Sequence, residues 1–257
     1  MITNIFINML VTHIVGDFYL QCQTMSNIKI CYGIKSMLLW LHALLMGVLA
    51  WLAWWQLDAW WVAIVGFVTH LMIDWAKSYM QVRLKIFEVS GNVVDKGRNN
   101  RYDVYIFLID QLLHIGILWM IACIGSHMYS DWCNIDWLQN LWIEHPMRIK
   151  IVLAIFLASK PSNILILLIM NSCKINMDNN NHGNFHSGGI IGIAERSLMI
   201  LFVVLGQYEA IGFLVAAKSI LRFGESNSGD EKSEYVLTGT LLSLIIALVL
   251  GLAVITL

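Results

Sequence analysis

Apolar residues run through this chain in blocks close to the twenty or so that a helix needs to cross a bilayer, and polar residues gather in short gaps between them. A membrane barrel would instead alternate with period two in segments of about ten residues. The pattern predicts eight helices: Ile5–Leu20, Ser36–Trp55, Trp60–Gln81, Asp103–Ser126, Met147–Met170, Gly189–Leu205, Tyr208–Arg222 and Tyr235–Leu257. The sixth and seventh are short and separated only by Gly206 and Gln207, so they read as a spanning hairpin or a re-entrant pair. The expectation is an all-α, polytopic integral membrane helical bundle, with residues 1–127 as one half and 128–257 as the other.

Composition narrows the class. Of 257 residues 58% are hydrophobic and 13% charged, with only two Pro; mean hydropathy is +0.69. Soluble domains carry about 25% charged residues. A water-soluble enzyme and a disordered chain are excluded, and a net charge of −1 draws no nucleic acid. The partner surface is the lipid bilayer.

Lys and Arg orient the bundle. They fall after the first helix (Lys29, Lys35), after the third (Arg83, Lys85, Lys96, Arg98, Arg101), after the fifth (Lys174) and around the end of the seventh (Lys218, Arg222, Lys232). The alternate loops hold Asp58, Asp131, Asp136 and Glu144, with Arg148 and Lys150 as the contrary signal. The basic loops read as cytoplasmic and both termini as outside. No Lys or Arg precedes Lys29, and the first apolar block contains His13 and Asp17, so it reads as a transmembrane helix and not a cleaved signal. The five Cys show no CxxC spacing and read as neither a disulfide framework nor a zinc site. The Trp51, Trp54, Trp55, Trp60, Trp61 group reads as an interfacial aromatic belt.

The polar residues inside the helices carry the chemistry. His13 and Asp17, His70 and Asp74, and Asp110 and His114 are each four residues apart, hence one turn apart on one helix face. His42 lies on the second helix. The helix directions put all seven in the cytoplasmic half of the membrane, with imidazoles toward the midplane; Asp precedes His only in the fourth helix, which runs the other way. Ionisable groups in hydrocarbon are costly and functional by default. Local His–Asp hydrogen bonds are the plain alternative. Imidazole with carboxylate is also a ligand set for zinc, manganese or iron. The expected cofactor is a divalent transition metal, zinc first, as one or two ions held by His13, Asp17, His42, His70, Asp74, Asp110 and His114. Asp17, Asp74 or Asp110 would serve as general base.

His13-x-x-x-Asp17-Phe18-x-x-Gln21, with His70-x-x-x-Asp74 and Asp110-Gln111-x-x-His114, resembles a bacterial membrane-protein family known as a domain of unknown function and often encoded beside SatD-type regulators. The later Glu195-Arg196, Lys218-Ser219-Ile220-x-Arg222-Phe223, Glu234-Tyr235 and Gly239-Thr240 also resemble that family, extending the likeness over nearly the whole chain. The resemblance implies a bacterial cytoplasmic (inner) membrane protein and no activity. The HxxxD helices are more distantly similar to zinc-dependent phospholipase C-type enzymes, to membrane metal-dependent hydrolases and to cation-diffusion transporters.

In the second half, Ser187-Gly188-Gly189 reads as a capped helix start and Lys160-Pro161 as a kink. Glu195, Arg196, Lys218 and Arg222 read either as an ion-pair network with snorkelling cations or as a pocket for a phosphate headgroup, and Lys77, one turn below Asp74, either pairs with it or holds a substrate anion. His182 and His186 read as a solvated loop pair. The leading expectation is a membrane-embedded metal-dependent hydrolase at the cytoplasmic face, acting on a phosphorylated lipid or amphiphile. A divalent-metal or proton transporter, and a sensor or effector with a structural metal, are the alternatives.

Overall fold

Helices that bury a polar stripe and expose apolar residues are folded for lipid, and that inversion governs this molecule. The structure is a computed structural model describing residues 2–54, 56–84, 86–90, 93–96, 101–129, 146–172, 185–223 and 230–256. It is all-α apart from one hairpin among the described residues. It divides into two compact units, Met1–Glu144 and His145–Leu257.

In the first unit, α1 (Ile2–Ile14) runs into a π-helical turn (Val15–Leu20), followed by α2 (Gln23–Tyr32), α3 (Met37–Leu52), α4 (Trp60–Arg83), strands β1 (Phe87–Ser90) and β2 (Val93–Lys96), and α5 (Arg101–Met128). The strands pair antiparallel, Phe87 opposite Lys96. Each long helix turns one ridge inward at four-residue spacing: Ile5, Met9 and His13 on α1; Val62, Gly66, His70, Asp74 and Ser78 on α4; Ile106, Asp110, His114 and Leu118 on α5. The outward faces at the same level are apolar, with Met72 61% and Leu112 67% exposed beside buried His70 and His114. Apolar side chains on the outside of an isolated chain at that depth mark a lipid-facing surface.

Glycine sets the closest helix approach. A Cβ on Gly47 would lie 2.5 Å from the Ala63 carbonyl and 2.9 Å from Phe67 Cβ, and one on Gly66 would lie 3.3 Å from Gly47 Cα. α3 and α4 therefore meet backbone to backbone. Trp54 is fully buried, its ring lying where a Cβ on Gly125 of α5 would go. It packs the interior and does not belong to the aromatic belt. Trp55 lies outside the described residues.

The second unit comprises α6 (Pro146–Ala158), α7 (Lys160–Ser172), α8 (Phe185–Val204), α9 (Tyr208–Phe223) and α10 (Asp230–Thr256). Ala154, Ala158, Met199, Ile200, Val203, Ile211, Ala247 and Val254 form its apolar core. The helix breaks at Ser159, as Pro161 predicts. Pro161 has no N–H for the Leu157 carbonyl, and the Ser162 hydroxyl donates to that oxygen instead at 2.6 Å. Gly206 makes the turn between α8 and α9 at φ +70°, a backbone region that favours glycine.

Several expectations change. Among the described residues four helices are long and apolar enough to cross a membrane: Leu57–Arg83, Tyr102–Met128, Met147–Ser172 and Leu237–Thr256. The pair Ile2–Leu20 and Gln23–Lys35, bent by 89°, makes up to five. Length and composition thus support four or five of the eight expected spans among the described residues; α3 and α9 have 16 residues each, about 24 Å of helix against a layer of about 30 Å. Residues 23–35, expected as a loop, are helical. α8 begins at Phe185, two residues before Ser187. Cys22, Cys31 and Cys123 are free; Cys133, Cys173 and His182 lie outside the described residues.

Candidate metal centre

Four helices deliver the predicted side chains to one place. His13 (α1), His42 (α3), His70 (α4) and His114 (α5) are all buried. Ring centroids are 4.4 Å apart for His70–His114, 4.9 Å for His13–His114 and 5.0 Å for His42–His70. Asp17 stands in the π-helical turn, whose extra residue per turn shifts it relative to an ordinary helix; such turns recur at functional sites.

Asp17 faces two ways. Its Oδ1 lies 3.1 Å from His42 Nε2 and 3.5 Å from His70 Nε2, and its Oδ2 lies 3.7 Å from His13 Nε2. Asp74 Oδ2 lies 3.7 Å from His70 Nε2 and 3.9 Å from His42 Nε2. Three sets of ligand atoms cluster within 4.8 Å of one another: His13, Asp17 and His114; Asp17, His42 and His70; His70, Asp74 and His114. They share members, so the arrangement is one continuous centre.

Hydrogen bonding sets the histidine tautomers. His114 Nδ1 lies 2.9 Å from the Asp110 carbonyl, which can only accept, so Nδ1 carries the proton and Nε2 of a neutral ring offers a lone pair. His114 Nε2, His13 Nε2 and His70 Nε2 are all buried without a hydrogen-bond partner. Buried polar atoms are normally satisfied, and three unsatisfied imidazole nitrogens in one place form a donor set that fits a transition metal.

Two lysines close the carboxylate side. Lys29 Nζ of α2, 3% exposed as a residue, donates to Asp74 Oδ2 at 2.7 Å and to Gln21 Oε1 at 3.2 Å. Lys77 Nζ donates to Asp110 Oδ2 at 2.7 Å, so it pairs across to α5 and not with Asp74 one turn away. Gln111 also donates to Asp110 Oδ2, at 3.0 Å, while Asp110 Oδ1 has no hydrogen bond and lies 3.6 Å from His114 Nδ1. On the opposite side of the imidazoles lies a cavity of about 20 Å³ lined by Met9, Thr12, Met46, Thr69 and Ile121 among others, room for about one water molecule.

Sequence reasoning missed Lys29, counting it as a loop cation. The available signal was the stretch from Gln21 to Tyr32, which has no Gly or Pro to prevent a helix.

Of the second-half residues, Glu195, Arg196 and Lys218 are described, and their side chains have separate partners. Lys218 donates to Glu195. Arg196, 2% exposed, is held by neutral acceptors: Nε donates to the Ala158 carbonyl at 2.6 Å, a terminal nitrogen to Ser243 Oγ at 3.1 Å, and the other to Asn163 Oδ1. Its guanidinium is engaged in joining α8 to the helix break and to α10. The side chains of Arg222 and His186 lie outside the described residues.

A family model described as "Protein of unknown function (DUF3307)" matches residues 5–141, just over half of the chain. The chain belongs to this family. The match contains the whole centre and stops before the second unit, so it does not extend to Glu195, Arg196 or Lys218. No curated protein and no solved structure matches the chain.

Proposed function

We propose that the first unit is a membrane-embedded divalent-metal centre and that the protein is a metal-dependent hydrolase, acting at the cytoplasmic face of a bacterial inner membrane on a phosphorylated lipid or amphiphile. The observation that carries this reading is the set of three buried, unpartnered Nε2 atoms of His13, His70 and His114 around the two-faced Asp17 carboxylate. A divalent ion, zinc first, supplies Lewis acidity and a bound water of lowered pKa. Asp17 orients His42 and His70. Asp110, with Oδ1 free of hydrogen bonds, takes the general-base role. A groove of about 310 Å³ beside α4, lined by Tyr32, Lys35, Trp75, Ser78 and Tyr79, supports an amphiphilic substrate: aromatic walls suit an acyl chain and Lys35 a phosphate. Ser78, on the groove wall, lies one helical turn from Asp74.

The membrane arrangement belongs to the same proposal. α3, α8 and α9 also cross, giving eight spans with both termini outside, and the basic segment after α4 faces the cytoplasm.

Divalent-metal or proton transport is the second reading, favoured by the burial of every imidazole and by the cavity beyond them. One experiment separates the two. Purified protein in mixed micelles is expected to release phosphate or headgroup from a phosphorylated amphiphile, with no gradient, and to lose this on chelation and regain it with Zn²⁺. Zinc or proton flux into proteoliposomes without hydrolysis would transfer the assignment to transport.

A further inference from the structure

Lys29 is the residue of the centre that the hydrolase reading leaves unused. It arrives on a strap. α2 is bent by 89° from the helix before it; Gln21 precedes it in an extended conformation, and Gly33, at φ +52°, ends it. These are hinge-like ends, an extended link on one side and a glycine-favoured turn on the other. The strap brings one ammonium back to the carboxylate layer, and Lys29 Nζ binds Asp74 Oδ2, the oxygen turned toward His42 and His70. A metal ion bonds a carboxylate oxygen at about 2.0–2.2 Å, so an ammonium 2.7 Å from that oxygen competes for the same lone pairs and repels the ion. Asp17, by contrast, is hydrogen-bonded by His42 and by no lysine or arginine among the described residues.

Charge points the same way. Asp17, Asp74 and Asp110 face Lys29 and Lys77, so the carboxylates and ammoniums together leave a single negative charge. One divalent ion with a hydroxide neutralises it. A second ion would leave excess positive charge in a buried site, which is strongly unfavourable.

We infer that Lys29 is an internal cation occupying a second metal position, the one formed by Asp17 Oδ1, His42 and Asp74. The folded centre therefore takes one divalent ion, on His13, His70, His114 and Asp17, and accepts a second when the α2 strap withdraws Lys29. This rests on the metal reading proposed above.

The test is the zinc stoichiometry of the full-length protein in detergent, measured by elemental analysis after equilibration with Zn²⁺. Wild type and Lys29→Arg are expected to hold one ion per chain. Lys29→Met is expected to hold two. Lys29→Met with Asp74→Leu, which removes ammonium and carboxylate together, is expected to return to one. If Lys29→Met is too unstable without metal, its unfolding midpoint reports instead: Zn²⁺ is expected to restore it toward wild type, with a dose response requiring two sites. One ion in Lys29→Met, or two in wild type, overturns the role of Lys29 and leaves the metal centre standing. No bound ion in wild type overturns the metal reading, and this inference with it.

Discussion

His114 shows how one residue is prepared for a ligand. Its own helix supplies the carbonyl that accepts from Nδ1–H and so keeps the proton there, and Nε2 faces the cluster with a lone pair and nothing to receive it. Purified wild-type protein is expected to carry one transition-metal ion per chain, and His70→Ala combined with Asp74→Ala is expected to abolish stoichiometric binding; metal analysis of both decides the point. Arg196 makes the contrasting case of a charged residue spent on structure. Arg196→Met strands the Ala158 carbonyl, Asn163 and Ser243, and is expected to cost about 2–4 kcal/mol in a detergent unfolding titration. Lys218→Met removes only a partly exposed pair with Glu195 and is expected to cost less than about 1 kcal/mol. Equal losses in the two variants would mean that Arg196 is not the hub of its unit.

Among the elements, the α3–α4 contact positions half of the centre. Gly47 and Gly66 lie about one turn beyond His42 and His70, and the Cα–Cβ spacing there leaves no room for a side chain. Gly47→Val is expected to push the helices apart, cost about 1–3 kcal/mol and lower metal occupancy. Gly116→Val on α5 serves as the control, because a Cβ there meets nothing within 4 Å and should leave occupancy unchanged. If Gly47→Val retains full occupancy, the close approach does not set the ligand geometry. The π-helical turn and the α2 strap matter equally. The first carries Asp17 and the second turns the chain through 89°, so that Lys29 reaches Asp74. Neither is written as a motif, because a π turn differs from an α turn by one residue and a bend by two dihedral angles.

At the scale of the whole molecule, orientation is the testable property. A cysteine replacing Gly97, in the basic segment after α4, is expected to resist an impermeant thiol reagent applied to intact cells and to react after permeabilisation, with the native cysteines assayed in the parent. Labelling from outside would invert the arrangement and move the centre to the outer half.

Much of the centre was legible in the order of residues. The hydrophobic blocks determined the all-α membrane class, since only a helix satisfies its own backbone in lipid. Four-residue spacing put each His and Asp on one helix face, and alternating helix direction put all seven at one depth; both depend on local periodicity and chain direction alone. The tertiary structure alone decided who touches whom across helices. It turned Asp17 to both His13 and His42, gave Lys77 to Asp110, satisfied Arg196 with neutral acceptors and returned Lys29 to Asp74. Those outcomes depend on helix rotation, on a π turn and on an 89° bend. Each is set by packing against distant residues, and a hydrophobic period carries no record of it.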